Sequence, residues 1–282
     1  LIWIPDRRPF FISDIPLVIT IHDFVPELFS RTLSVKSRIW HKIFSYKRLY
    51  SLSTAFLVPS LTTGSRIKNK KYEITYEGVT VPKCIVSPLI AKQNKEKKFF
   101  FCISPLDPRK RLDWIINSAK RFTHVNFVIA GIKPGDSRFS KSKINSMPNI
   151  IFLGEITNEE KFWLYKNAEA LIAVSQYEGF DLPVLEALIV KCPVIMSDIG
   201  VHRELYNADF FVKTEDDLLL GIKRIQLGYK NIAKIRGNYS WEMAAKRALL
   251  FFGRVIADKN RNRGGYGYGN NHSQNPKRRI TN

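Results

Sequence analysis

The chain has 282 residues, 45% of them hydrophobic and 25% charged, with a formal net charge of +20. Length and balance accommodate two α/β domains of roughly 100–200 residues each and exclude a disordered or fibrous polymer. No apolar run, Ile15 to Ile21 included, approaches the roughly 20 residues that cross a bilayer, and no charged-then-apolar signal peptide opens the sequence.

Short β-rich apolar runs alternate with segments of helical period, the pattern of a parallel sheet wrapped by helices, so the predicted fold class is α/β. The first predicted elements are a strand at Leu17 to Ile21, a helix at Leu33 to Leu52 and a strand at Ala55 to Pro59. Next come a strand at Phe99 to Ser104, a helix at Leu112 to Phe122, and strands at Asn126 to Ala130 and Ile150 to Leu153. A helix at Glu159 to Ala168, a strand at Ala170 to Val174, a helix at Pro183 to Val190 and a strand at Pro193 to Ser197 follow. Helices at Asp216 to Leu227 and Trp241 to Ala257 end the ordered pattern.

A Lys-rich polar stretch at Ala91 to Lys98 reads as a linker that divides residues 1–92 from 93–239. The first part is too short for a complete domain, by on the order of 80–100 residues, and the chain opens at Leu1 without Met, which reads as a lost natural start. Residues 240–257 read as a crossover helix; in 258–282 Gly, Asn, Arg and Tyr replace the apolar period and predict a disordered basic tail.

The basic surplus lies largely in Lys36 to Arg48, Lys92 to Lys98 and Lys259 to Arg279, and implies an anionic partner. None of these segments carries a zinc finger or an aromatic RNP motif, so nucleic acid is not the expected one. In the first, Lys36, Arg38, Lys42, Lys47 and Arg48 interleave with Ile39, Trp40, Ile43, Phe44 and Tyr50, giving a helix one basic and one apolar face. Such a helix can rest on an anionic membrane surface or pack against its own domain; the expectation is packing, with the membrane reading kept open. Cys84, Cys102 and Cys192, odd in number and widely spaced, fit neither a disulfide framework nor a CxxC site and point to a reducing, cytoplasmic compartment.

The stretch that carries most chemistry is Glu178-Gly179-Phe180-Asp181-Leu182-Pro183-Val184-Leu185-Glu186-Ala187, a loop that leaves a strand and enters a helix near Pro183. A helix N-terminus there offers free N–H groups and partial positive charge to an anion such as a diphosphate. Gly179 allows the backbone to approach a ligand, and Glu178 and Glu186 can accept hydrogen bonds from sugar hydroxyls. The plain alternative is that Glu186 compensates the helix dipole and Glu178 is solvated. At the end of an earlier strand, Ser104-Pro105-Leu106-Asp107-Pro108-Arg109-Lys110-Arg111 places cations where they can neutralise a diphosphate leaving group, or merely cap an exposed turn. His22, in Thr20-Ile21-His22-Asp23-Phe24-Val25-Pro26, follows a buried-looking strand and is either structural or a neutral hydrogen-bonding group.

At Glu178 to Ala187 the sequence resembles glycosyltransferase family 4, and the likeness extends through Cys192 to Asp198, Phe152 to Glu155, Ala130-Gly131 and the Trp241 to Phe252 helix. The resemblance implies a GT-B fold, two Rossmann-like domains facing a cleft with the N-terminal one incomplete. It also implies metal-independent, retaining transfer from a GDP- or UDP-sugar donor, with no cofactor; the sequence itself has no HExxH or paired CxxC. By that resemblance Glu178 holds the transferred sugar, Glu186 the ribose, the amides of Phe180, Asp181 and Leu182 the sugar and phosphate, and the base lies near Gly131, Gly154 and Ile156. Lys110 matches the family's lysine, Pro105 stands at the usual arginine position, and Arg109 is expected to substitute; Asp181 stands where the family has glycine. His22 matches the family's His-Asp segment at the cleft. The Pro108-Arg109-Lys110 pattern resembles a bacterial polysaccharide-synthesis subgroup, which implies mannose transfer to a glycan or lipid-linked acceptor, in the cytoplasm at the inner face of the membrane. A catalytically inactive nucleotide-sugar-binding subunit and a basic nucleic-acid binder stay as alternatives.

Overall fold

The computed structural model describes residues 1–7, 15–33, 35–43, 46–88, 98–103, 107–131 and 147–264. Two parallel sheets carry the chain. In the first, β1 (Ile2–Ile4), β2 (Leu17–Thr20), β3 (Ala55–Val58) and β4 (Lys71–Ile74) lie in sequential order, with Ile19 opposite Phe56 and Leu57 opposite Glu73. The central strands Leu-Val-Ile-Thr and Ala-Phe-Leu-Val are buried at every position because both faces are covered. The edges β1 and β4 are partly exposed, and the polar, alternating Lys71-Tyr72-Glu73-Ile74 lacks the continuous apolar run that marks a central strand.

The second sheet has β5 (Phe99–Ile103), β6 (Asn126–Ala130), β7 (Ile150–Gly154), β8 (Ala170–Ala173) and β9 (Val194–Met196), all parallel, in the order β7-β6-β5-β8-β9. Successive side chains alternate faces. Phe101 faces a core built on the Asn158–Asn167 and Leu182–Ile189 helices, through Phe162, Tyr165, Val184 and Leu185. Phe100 faces a second core, with Leu112 and Ile115 of the Leu112–Arg121 helix and Leu218 and Ile222 of the Glu215–Gln226 helix.

The last helix, Trp241–Gly264, returns to the first sheet and packs Phe251 and Val255 on Val18, Ala55 and Leu57. Asp258 to Gly264, expected to open the disordered tail, instead continue this helix, where Asp258 pairs with Lys71 at 2.5 Å and Arg254 with Glu73. The remainder of that tail, and the linker at residues 91–97, lie outside the described residues. The expected Leu33 to Leu52 helix appears as Val35–Ile43 and Tyr46–Leu52.

The halves are tied at several points. Glu204, on the Gly200–Leu205 helix, accepts from Leu61 N at 2.6 Å, and from Thr62 N and Thr62 Oγ1 at 2.8 Å each. Ser60 Oγ donates to Gly179 O at 2.6 Å, and Phe24 N donates to Tyr177 Oη at 3.2 Å.

Candidate active site

Strand order reverses between β5 and β8: the chain runs outward through β6 and β7, then restarts on the other side of β5. Loops leaving the carboxyl ends of such neighbouring strands diverge and open a crevice suited to ligands. The Asp107–Arg111 loop follows β5 and the Ser175–Asp181 loop follows β8. Arg109, Lys110 and Glu178 therefore meet although 68 residues separate Lys110 from Glu178.

Glu178 Oε1 lies 2.6 Å from Arg109 Nη1 and 2.6 Å from Lys110 Nζ, and all three side chains are largely buried, at 12%, 10% and 15% exposure. A single carboxylate oxygen thus holds two cations. Arg109 is also bonded through Nε to Asp107 Oδ2 at 3.2 Å and through Nη1 to Tyr177 O, so it braces the two loops against each other. Burial opposes its charge, but Glu178 and Asp107 outweigh that, and its pKa is raised. Lys110 shares a narrow cleft with Ile103, Ser175, Asp181 and Pro183, at the start of the helix. Glu178 supplies the counter-charge of both cations here. Pro105 lies outside the described residues.

The helix Leu182–Ile189 has Pro183 in its first turn and no side-chain cap. Asp181 precedes it in the left-handed conformation, φ 68° and ψ 65°, which explains the glycine usual at this place; Asp is among the few side chains that tolerate it. Its carboxylate is turned inward and accepts from His202 Nε2 at 2.9 Å, while His202 Nδ1 meets Ser197 O at 2.8 Å. Burial alone would raise the pKa of Asp181, but the His202 bond and the charges of Lys110 and Arg109 override it, and the net shift is downward. The Phe180 side chain packs against Tyr76 and Tyr239, leaving only the backbone of this residue for a ligand.

A Cβ at Gly179 would sit 1.9 Å from His22 O, so glycine is required here by the backbone of the other half of the chain.

Glu186 projects one turn into the helix, where Lys161 Nζ approaches Oε1 at 2.7 Å and Tyr165 Oη donates to Oε2 at 2.9 Å. Burial, then Glu186, push the Tyr165 phenol well above its ordinary range, so it remains a donor. Lys161 and Tyr165 stand at i and i+4 of the Asn158–Asn167 helix, a spacing visible in the sequence; that this face meets Glu186 is a tertiary fact. His202, Asp107, Glu77 and Glu204 also went unforeseen, and of these only Asp107, two residues from Arg109, has a local signal. Gly131 and Gly154 have φ of 92° and 73°, and Gly131 N donates to Gly154 O at 2.7 Å, joining the ends of β6 and β7. Ile156 is half-buried beside the core of that face.

His22 is placed by β2 at the carboxyl edge of the first sheet. Its carbonyl faces Gly179, but its ring turns to Pro5 O at 2.9 Å and Glu77 Oε1 at 3.1 Å. It lines a cavity of about 320 Å³ with Trp3, Tyr76, Glu77 and Trp241, so the ring is not joined to the Arg109, Lys110 and Glu178 cluster.

Comparison with known proteins places this geometry. Residues 89–228 match the family described as Glycosyl transferases group 1. The O-antigen chain mannosyltransferase RfbU of Salmonella typhimurium is 27% identical over 236 residues, 78% of this chain and 65% of that protein. The chain thus spans less than two thirds of that relative's length. Among solved structures, sucrose-phosphate synthase from Thermosynechococcus elongatus superposes with a TM-score of 0.69 at 16% identity, over 87% of this chain and 69% of that one. Anabaena Alr3699/HepE in complex with UDP and glucose gives 0.58 at 19% identity, over 88% and 72%. The shared architecture is GT-B. Two parallel sheets, a cation pair at the switch point and an uncapped helix start beside it accompany the match of residues 89–228 to the group 1 glycosyl transferases.

Proposed function

We propose that this protein is a retaining glycosyltransferase that moves a hexose, mannose favoured, from a nucleoside diphosphate sugar to a glycan or lipid-linked acceptor in polysaccharide synthesis at the inner face of a membrane. The observation that carries the reading is the meeting of Arg109, Lys110 and Glu178 over the start of the Leu182–Ile189 helix. A donor diphosphate would replace the Glu178 carboxylate as the anion held by Lys110 and the helix start, with Arg109 keeping the two loops in register. Freed Glu178 then meets the sugar hydroxyls, Glu186 the ribose, and the Gly131, Gly154 and Ile156 edge the base. The amides of Phe180, Asp181 and Leu182 are assigned to sugar and phosphate.

The acceptor oxygen bonds to the anomeric carbon on the face from which the bond to phosphate oxygen breaks, and its proton passes to that departing oxygen. Configuration is retained without an enzymic nucleophile. Charge on the leaving diphosphate is stabilised by Lys110, Arg109 and backbone N–H groups, so the reading requires no metal and no cofactor. His22 is assigned to the acceptor side, through the cavity it shares with Tyr76 and Trp241. The RfbU relative, a mannosyltransferase of O-antigen chains, supports the choice of mannose and of a glycan acceptor.

Calorimetric titration with GDP-mannose and a panel of UDP-hexoses tests the reading. Saturable binding by one of them, weakened at least about tenfold by Glu186→Ala, is expected, that factor being the loss of about 1.4 kcal/mol of charge-assisted hydrogen bonding. Absence of binding by every donor, or indifference to Glu186→Ala, rejects it.

A further inference from the structure

Two carboxylates border Lys110 and take different partners. Glu178 Oε1 pairs with Lys110 Nζ and with Arg109 Nη1, each at 2.6 Å. Asp181 lines the same cleft as Lys110; against the burial that disfavours its charge, the His202 bond and then the Lys110 and Arg109 charges favour its ionised form. Its carboxylate nevertheless faces His202, 21 residues along the chain, and both side chains are enclosed, at 7% and 0% exposure. A carboxylate that far from water needs a partner that takes up its charge.

The hydrogen bonds of His202 fix what that partner supplies. Ser197 O only accepts, so His202 Nδ1, 2.8 Å away, carries a proton. Ser197 Oγ gives its own hydrogen to Ser175 O at 2.7 Å and offers Nδ1 a second acceptor at 3.5 Å. In a neutral ring Nε2 would then be an acceptor, facing a carboxylate that also only accepts. A further proton must therefore lie between Nε2 and Asp181 Oδ2, 2.9 Å apart, and the pair as a whole carries no net charge. The ring is held firmly: the Gly200–Leu205 helix buries Val201 and Leu205 beside it, and the Tyr206 ring lies 6.2 Å from the imidazole.

Without the imidazole, Asp181 would be a bare carboxylate beside Lys110 and Arg109. Paired with Asp181, Lys110 would be lost to any incoming anion. A glycine at this left-handed position would bring no carboxylate and need no such partner.

We propose that His202 is a positioning residue of the donor site: it shares a proton with Asp181 and keeps that carboxylate neutralised and turned away from Lys110, which is thereby reserved for the donor diphosphate. The role rests on the proposed nucleoside diphosphate sugar site and adds to it the residue that protects its cation.

His202→Phe keeps a ring and removes both hydrogen bonds. Calorimetric titration of the full chain with GDP and with UDP is expected to show whichever nucleotide binds weakened about tenfold or more by this change, the size of one charge-assisted hydrogen bond lost from an anion. In the Asp181→Gly background, where there is no carboxylate to release, adding His202→Phe should weaken binding by no more than about twofold further. His202→Gln, which keeps a donor near the Nε2 place, should bind the nucleotide more tightly than His202→Phe. A crystal structure of nucleotide-free His202→Phe is expected to show the Asp181 carboxylate against Lys110. Equal losses in both backgrounds, equal losses for Phe and Gln, or a carboxylate that stays turned from Lys110 overturns the proposal in favour of a merely structural histidine. Failure of the parent chain to bind either nucleotide rejects the donor site and this role with it, whereas a bound nucleotide indifferent to His202→Phe rejects the role alone.

Discussion

Glu77 and His22 form a pair whose strength depends on pH in a definite direction. The Glu77 hydrogen bond raises the pKa of His22 above 6.5, against burial and with help from the Pro5 carbonyl. A group whose folded pKa exceeds its unfolded value stabilises the fold fully below the unfolded value and loses that contribution as pH rises through the folded one. Glu77→Gln is therefore expected to destabilise most in mildly acidic solution, with the gap to the parent protein closing as pH climbs past 6.5 and through the raised value. Urea unfolding over a pH series measures this, and a gap that widens with pH would contradict the pairing. At Gly179 the determinant is space: an added methyl meets His22 O at 1.9 Å, a backbone atom that cannot rotate aside. Gly179→Ala should cost about 1–3 kcal/mol by forcing the two loops apart, read from the urea midpoint. The glycine was legible in the sequence, but its partner was not, because residues 22 and 179 become neighbours only when the two halves meet.

Among the elements, the short helix Leu61–Gly64 shows how one side chain can fasten two sheets. Its N-terminal N–H groups would lack partners inside the helix, and Glu204 from the opposite half accepts two of them together with the Thr62 hydroxyl. Glu204→Ala leaves those donors without a charged acceptor, and a loss of about 1–3 kcal/mol is expected in equilibrium unfolding. Glu204→Gln, which keeps one acceptor oxygen, should lose less; equal losses would show that charge and not hydrogen bonding holds the contact. Elements with continuous apolar runs were recognisable from sequence: β6 was expected at Asn126 to Ala130 and is found there, and the Leu182–Ile189 helix starts one residue before Pro183. The edge strands β1 and β4 and the four-residue helices escaped notice because three or four residues carry too little periodicity to stand out.

For the whole molecule, the Trp241–Gly264 helix is the return tie from the second half to the first sheet, with Phe251 at 5% exposure wedged against Val18, Ala55 and Leu57. Phe251→Ala should remove about 3–5 kcal/mol, and if the halves unfold separately the loss will appear in the transition of the first sheet alone. Differential scanning calorimetry distinguishes one transition from two. By itself the sequence determined the α/β alternation, the parallel sheet of the second half and the loop from Glu178 to Glu186, because apolar period, Pro placement and motif spacing are local properties that survive without coordinates. Only tertiary structure decided that Glu178 closes on Arg109 and Lys110, that Lys161 and Tyr165 hold Glu186, that Asp181 turns inward to His202, and that Val35, Ile39 and Ile43 face outward. Each of these joins residues far apart in the chain or fixes a helix's rotation about its axis, and neither partner choice nor rotation is encoded within a window of sequence; both are set when the sheets and their helices pack together.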